Sequence, residues 1–126
     1  MEEFINLTRS FLNEGISGEL WYQNIKDHIL AIILYGSTAK GTRRTDSDID
    51  LLFILPIEIE EKYTEGEYFI NYGGYQFNIV MRSIEGLRNI ADGEHDSFQA
   101  EVFRKNTILW EKNDEVRELI ERIKSM

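Results

Sequence analysis

Two short apolar runs place the strongest constraint on how this chain can fold: AIILY at 31–35 and IDLLFIL at 49–55. The first is rich in β-branched residues, and both read as buried strands. The first is closed by Gly36 and the second is stopped by Pro56, which lacks the N–H that a strand needs to continue. The segment EYFINYGGYQFNIVM at 67–81 has a Gly-Gly pair between two alternating aromatic arms, which is the pattern of a β-hairpin. Together these segments predict four strands.

Helical spacing of apolar residues predicts two amphipathic helices before the first strand. The first helix ends near Gly15, and its apolar stripe contains Phe4, Leu7, Phe11 and Leu12. The second is entered through Ser17 as a cap, and its stripe contains Leu20, Trp21, Ile25, His28 and Ile29. Because His28 lies on this apolar stripe, we expect it to be structural.

The part of the chain after the hairpin predicts further helices and one more strand. Helices are expected around 87–91 and 98–103, a short strand at TILWE (107–111), and a last helix that is capped by Asn113. The whole pattern predicts an α/β (or α+β) domain, with a mixed sheet of about four to five strands flanked by helices. The length of 126 residues and the 42% hydrophobic content fit a single domain over 1–126.

Composition excludes several classes of protein. The absence of cysteine excludes disulfides, thiolate zinc sites and cysteine nucleophiles, and suits a reducing compartment. The longest apolar run, Ile29–Tyr35, is far shorter than the roughly 20 residues of a membrane span, and the start MEEF is unlike a signal peptide. We therefore expect a cytoplasmic protein with no membrane partner. The net charge of −9 argues against nucleic acid as a ligand.

The stretch TDSDIDLLFIL contains three alternating aspartates, Asp46, Asp48 and Asp50, and suggests either a metal site or a solvated turn. A calcium loop of the EF-hand type needs glycine at its sixth position and glutamate at its twelfth, where this chain has Leu51 and Ile57. The calcium interpretation therefore fails.

A phosphate-binding P-loop is another motif that this region partly matches, because Gly36 and Gly41 bracket four residues. A P-loop continues with Lys and then Ser or Thr, whereas this chain has Thr42 and Arg43. The next strand also arrives within a few residues, which leaves no room for the long helix that a P-loop requires. This interpretation fails as well.

The combination that remains is a strand, then GSTAKGTRRTDSDIDLL, then a second strand. It resembles the nucleotidyltransferase superfamily of the DNA polymerase β type, whose signature is Gly-Ser, ten residues, and Asp-x-Asp, here Gly36-Ser37 and Asp48-Ile49-Asp50. The patterns Gly-Ser-x-Ala-x-Gly and Ser-Asp-x-Asp-Leu are similar to those of the minimal single-domain members, called MNT proteins. The resemblance implies the polymerase β-like fold and Mg²⁺-dependent transfer of a nucleoside monophosphate, with ATP as the expected donor.

The physical chemistry of the matched residues suits that activity. Side chains alternate along a strand, so Asp48 and Asp50 point to one face and can share a Mg²⁺ ion, while Ile49 and Leu51 point to the other. Gly36 allows close approach of the backbone, and Ser37 offers a hydroxyl and N–H groups to a phosphate tail. Asp46 is expected to serve the turn.

The basic residues Lys40, Arg43 and Arg44 lie just before the aspartates. Lys40 and Arg43 can add contacts to the phosphates, or these side chains can simply be solvated. His95 lies in an expected loop, and nothing pairs with it at a diagnostic spacing.

One position departs from the family. Active members similar to this chain place a third carboxylate on a later strand, where it completes the metal site and can accept the proton of the attacking hydroxyl. The best-aligned segment here, YQFNIVM, has Asn78 at that position, and an amide is neither charged nor a base. Either catalysis is weakened, or another acid such as Glu67, Glu94 or Asp96 replaces the carboxylate, or the alignment of this strand is wrong.

Two classes of function therefore remain open. One is an enzyme in which Asp48, Asp50 and Asn78 form the catalytic site and the nucleotide is transferred to a hydroxyl of a protein or small molecule. The other is a catalytically weak or inactive module that binds a nucleotide or a partner. Family members are often paired with a helical HEPN-domain protein, in some cases as toxin and antitoxin, so such a partner is expected in either class. A homo-oligomer is also compatible with the sequence.

Overall fold

Five strands form one mixed sheet in the computed structural model, which describes residues 2–35, 48–59, 68–93 and 106–125. In chain order they are β1 (Ala31–Tyr35), β2 (Ile49–Leu55), β3 (Tyr68–Tyr72), β4 (Tyr75–Ser83) and β5 (Thr107–Glu111). Their order across the sheet is β3-β4-β2-β1-β5. β2 and β4 run parallel, and the other neighbouring pairs are antiparallel. The predicted mixed sheet and its five strands are therefore confirmed.

Helices cover both faces of the sheet. They include α1 (Glu2–Ser10), which continues as a π-helical turn (Phe11–Gly15), α2 (Leu20–Ile25), which continues as a 3₁₀ turn (Lys26–His28), α3 (Ile84–Ala91) and α4 (Glu115–Lys124). Among the described residues, no helix combines the length and the apolar character that crossing a membrane requires.

The helices α1 and α2 pack on one face of the sheet. The ring of Phe11 stacks on that of Phe77 in β4 with a centroid distance of 4.0 Å, and Ile25 and Ile29 join the same buried cluster. At Gly15 the chain passes so close to the hairpin that an added Cβ would lie 2.6 Å from Tyr72 Cδ1. This face is therefore closely packed around the π-helical turn.

The helices α3 and α4 cover the opposite face. Leu87 and Ile120 pack there with Leu52 of β2 and Val80 of β4 in a second buried cluster. Because β2 is covered on both sides, its residues from Leu51 to Leu55 are all buried, and its first half-buried strand position is Asp50.

The predicted helix caps have different outcomes. Asn113 Oδ1 accepts a hydrogen bond from the Glu115 backbone N–H at 3.0 Å, so its role at the start of α4 is confirmed. The prediction for Ser17 is wrong, since its hydroxyl donates to the Glu14 carbonyl and α2 starts later, at Leu20.

The predicted structural position of His28 is also wrong, because its side chain is exposed. The helix predicted around 98–103 lies outside the described residues.

Candidate functional site

Asp50 in β2 and Asp48, the residue just before this strand, present two carboxylates to the face of the sheet that α3 and α4 cover. Ile49 and Leu51 are 0% exposed and point into the cluster beneath α1 and α2. Alternation along the strand therefore turns Asp48 and Asp50 to the other face, where both side chains are half-buried. The β2 residues that follow on that face, Leu52 and Ile54, are buried, so the polar end of the strand borders an apolar core.

Two amides on β4 face the two carboxylates. The parallel register pairs Asp50 with Asn78, and Asn78 Nδ2 donates to Asp50 Oδ1 at 3.3 Å. Two residues earlier, Gln76 Nε2 donates to Asp48 Oδ2 at 3.4 Å. Both distances exceed the usual 2.9–3.0 Å of such bonds, so the amides hold the carboxylates only weakly.

The carbonyl oxygen of the Asn78 side chain has no hydrogen-bond donor among the described residues. This Oδ1 atom is buried, whereas the nitrogen of the same amide contacts Asp50. Burying a carbonyl oxygen without a donor is unfavourable in free energy. The atom is therefore suited to bind a ligand, either a hydrogen-bond donor or a cation. Two carboxylates and a carboxamide form an all-oxygen donor set, which is the set that Mg²⁺ prefers, so these residues fit the ion that the sequence predicts.

Among the residues that the structure describes, Asp48 and Asp50 are the two carboxylates of this site, and no third one joins them. Within the described ranges, no group of three Asp, Glu or His side chains could hold a metal ion. The acids considered as replacements for a third carboxylate, Glu67, Glu94 and Asp96, lie outside those ranges. So do Gly36, Ser37, Lys40, Arg43, Arg44, Asp46 and His95.

A row of side chains crosses four strands at the level of Asp50. The register places Tyr35 of β1 opposite Asp50, Asn78 on its other side, and Phe69 of β3 beyond Asn78. Phe69 is 57% exposed, which is unusual for a large apolar residue in a sheet with two covered faces. Asp50 and Asn78 therefore lie between a tyrosine and an exposed aromatic ring.

Sequence reasoning did not single out Gln76 and Phe69. The signal for Gln76 was available, because it precedes Asn78 by two residues just as Asp48 precedes Asp50. Phe69 carried no such signal, since its position beside Asn78 depends on the pairing of β3 with β4.

Comparison with known protein families gives one match over most of the chain. The model of a family described as "Polymerase beta, Nucleotidyltransferase" matches residues 22–115, a range that contains all five strands. No curated protein matches the sequence.

One solved structure shows a related fold at low sequence identity. A nucleotidyltransferase-like protein from Exiguobacterium sibiricum 255-15 superposes with a TM-score of 0.61 at 14% identity over 95% of this chain. The chain covers only 38% of that protein. A chain of a toxin-antitoxin crystal structure with AMP-PNP gives a TM-score of 0.45 at 17% identity, covering 82% of this chain and 81% of that one.

Proposed function

The chain belongs to the polymerase β nucleotidyltransferase family, and from this premise we propose that it transfers a nucleoside monophosphate to a hydroxyl group. The expected donor is ATP with Mg²⁺, and the acceptor is a hydroxyl of a protein or a small molecule. The observation that carries the proposal is the in-register pair of Asp50 and Asn78 on neighbouring strands, with Asp48 on the same face.

In this proposal Asp48, Asp50 and Asn78 hold the metal ion. When bound, the ion would neutralise negative charge on the phosphates and polarise the reacting phosphoryl group. The side-chain nitrogen of Asn78 is directed toward Asp50. A half-turn of the amide about χ2 would place the side-chain oxygen there instead. The neutral amide thus serves as a weak third ligand in a position where a carboxylate would bind more strongly.

Gly36, Ser37, Lys40 and Arg43 are proposed to hold the triphosphate. The position of β1 supports this assignment. β1 ends at Tyr35, directly across from Asp50, and the proposed phosphate-binding segment begins at the next residue. The acceptor oxygen forms a new bond to the α-phosphorus as the bond to the departing pyrophosphate breaks. Asn78 cannot accept the proton that the hydroxyl loses, so the proton passes to solvent water and we expect transfer to be slow.

A labelling experiment tests the proposal. The purified protein is incubated with ATP labelled at its α-phosphate, Mg²⁺ and a candidate acceptor protein, and transfer of label is followed on a gel. Asp48→Asn and Asp50→Asn should each abolish transfer, because each removes a charged ligand. Asp114→Asn, an equal change at an exposed residue before α4, should leave transfer unchanged. Transfer that persists in Asp48→Asn and Asp50→Asn would contradict the mechanism.

A second candidate function, a module that binds nucleotide or a partner with little turnover, is favoured by the amide at position 78. It predicts that ATP with Mg²⁺ raises the melting temperature although no label is transferred, and that Asp50→Asn removes this rise. In either function we propose a helical HEPN-domain protein as the partner. Co-purification of the two chains, with the HEPN protein also offered as acceptor, tests this part separately.

A further inference from the structure

A cavity of about 430 Å³ lies on the face of the sheet opposite Asp48 and Asp50. Its apolar floor is formed by Ile32 of β1, which points into the cluster beneath α1 and α2 and is 7% exposed. Its other lining residues include Leu12, Asn13, Ile29 and Leu109. A cavity of this volume lies within the usual range for small-ligand sites, roughly 300–1,000 Å³.

Two aromatic side chains form walls of this cavity. Trp110 of β5 is 47% exposed, so its indole keeps a large apolar surface open to solvent. Tyr22 of α2 is half-buried, and burial raises the pKa of its phenol above the ordinary value, so at neutral pH it remains a hydrogen-bond donor. Flat aromatic walls over an apolar floor suit a planar ligand.

Two cations complete the lining, Arg9 at the end of α1 and Lys26 in the 3₁₀ turn. In the described part of the chain neither side chain pairs with a carboxylate, whereas Arg88, Arg117 and Arg122 all do. The described residues that line the cavity include no Asp or Glu, although the chain has 23 acids and 14 bases. Two cations that share one cavity of an acidic protein attract an anion.

We propose that this basic groove, formed by Arg9, Tyr22, Lys26 and Trp110 over the floor at Ile32, binds a small planar aromatic anion. The ring system of the ligand lies against Trp110 and Tyr22, and its carboxylate or phosphate group meets Arg9 and Lys26. This site is separate from the proposed nucleotidyl transfer, because the sheet lies between the groove and Asp50.

The test is a titration of the 126-residue chain, monitored by ¹H–¹⁵N correlation NMR spectra. The probes are β-naphthoate and its neutral isostere β-naphthamide, which share a ring system and differ in charge. The chain has two tryptophans, so the two indole N–H signals are assigned with Trp21→Phe. β-naphthoate should shift the Trp110 indole signal more than that of Trp21, which stacks on Tyr68 and contacts the groove lining only through the ring of Tyr22.

Charge variants identify the anion contacts. Arg9→Gln and Lys26→Gln should each weaken β-naphthoate binding by about fivefold, the size of one exposed charge interaction, while β-naphthamide binding stays the same. Lys124→Gln removes the same charge at the end of α4 and should change neither affinity. Both groove cations are exposed, so the variants are expected to keep the wild-type spectrum elsewhere.

Three results would overturn the proposal. They are equal affinity for the two probes, a loss of β-naphthoate affinity in Lys124→Gln equal to that in the groove variants, and signal shifts that are confined to residues outside the groove. Absence of binding at probe concentrations of about 1 mM would also overturn it.

Discussion

Asn78 controls how much negative charge surrounds Asp50, because it is the neutral neighbour of that carboxylate on the adjacent strand. Replacing it by aspartate would place two carboxylates side by side in a half-buried position. Like charges at this distance repel each other unless a cation lies between them. An aspartate at position 78 would therefore link the stability of the fold to divalent cations.

Asn78→Asp should lower the free energy of unfolding by about 1–2 kcal/mol when EDTA removes divalent ions, and Mg²⁺ should restore most of the loss. Urea unfolding in EDTA and in MgCl₂ measures both effects. Asn89→Asp introduces the same charge at an exposed position of α3 and serves as the control. A loss that is equal with and without Mg²⁺ would show that position 78 does not contact the metal site.

Tyr72 is expected to make the free energy of unfolding depend on pH in the alkaline range. Burial, together with the hydrogen bond that its hydroxyl donates to Glu14 Oε2 at 3.2 Å, raises the pKa of the phenol above 10.0. The folded state thus holds this proton more tightly than the unfolded state. The resulting stabilisation is complete below about pH 10 and is lost as the pH rises through the raised pKa.

Tyr72→Phe should therefore make the free energy of unfolding fall less steeply than in the wild type as the pH rises above about 10. Urea unfolding at a series of pH values measures the two slopes. Glu14→Gln keeps the burial of Tyr72 and removes the carboxylate, so its slope should lie between the other two. Parallel curves for the wild type and Tyr72→Phe would exclude this residue as the source.

At this scale the sequence predicts which face Asp48 and Asp50 share, because alternation is a local property of a strand. It cannot predict that Gln76 reaches Asp48 or that Phe69 lies beside Asn78. Those contacts depend on the register between strands that are distant in sequence. The roles of Gly36, Ser37, Lys40 and Arg43 in phosphate binding stay predictions.

At the scale of elements, the π-helical turn after α1 packs against the hairpin through Gly15. An added Cβ there would lie 2.6 Å from Tyr72 Cδ1 and 2.8 Å from Phe11 Cδ1, and Phe11 is itself buried. Gly15→Ala should therefore lower the free energy of unfolding by about 1–3 kcal/mol, as overpacking usually does.

Gly18→Ala is the matched control, because no described residue lies within 4 Å of its added Cβ. Urea unfolding of both variants measures the difference, and the control should stay close to the wild type. Equal stabilities for the two variants would mean that the turn can move away from Tyr72 at little cost.

The strands agree well with their sequence patterns, and the second helix agrees less well. Short β-branched runs and a Gly-Gly turn mark β1 to β4 because these signals are local. α2 is only six residues long and passes into a 3₁₀ turn, which has three residues per turn. A stripe drawn at helical spacing therefore goes out of phase after Ile25, and His28 is exposed. Leu20, the first residue of α2, is also 72% exposed.

At the scale of the whole molecule, the net charge of −9 produces self-repulsion that favours expansion of the chain. Raising NaCl from about 0.05 M to about 0.5 M should screen this repulsion and increase the free energy of unfolding by about 1 kcal/mol. Thermal unfolding over this range measures the change, and KCl should give the same result. A decrease with salt would indicate that attractive ion pairs, such as those of Arg88, outweigh the repulsion.

The position of β5 has a consequence for the order in which the sheet is assembled. β5 pairs with β1, with Ala31 opposite Glu111, so this contact joins residues that are far apart in sequence. Contacts of such long separation form late, whereas a hairpin such as β3–β4 forms within about 1–10 μs. During synthesis the strands that carry Asp50 and Asn78 leave the ribosome before β5 does. We therefore expect the two halves of the candidate site to meet on a nascent sheet whose β1 edge is still open.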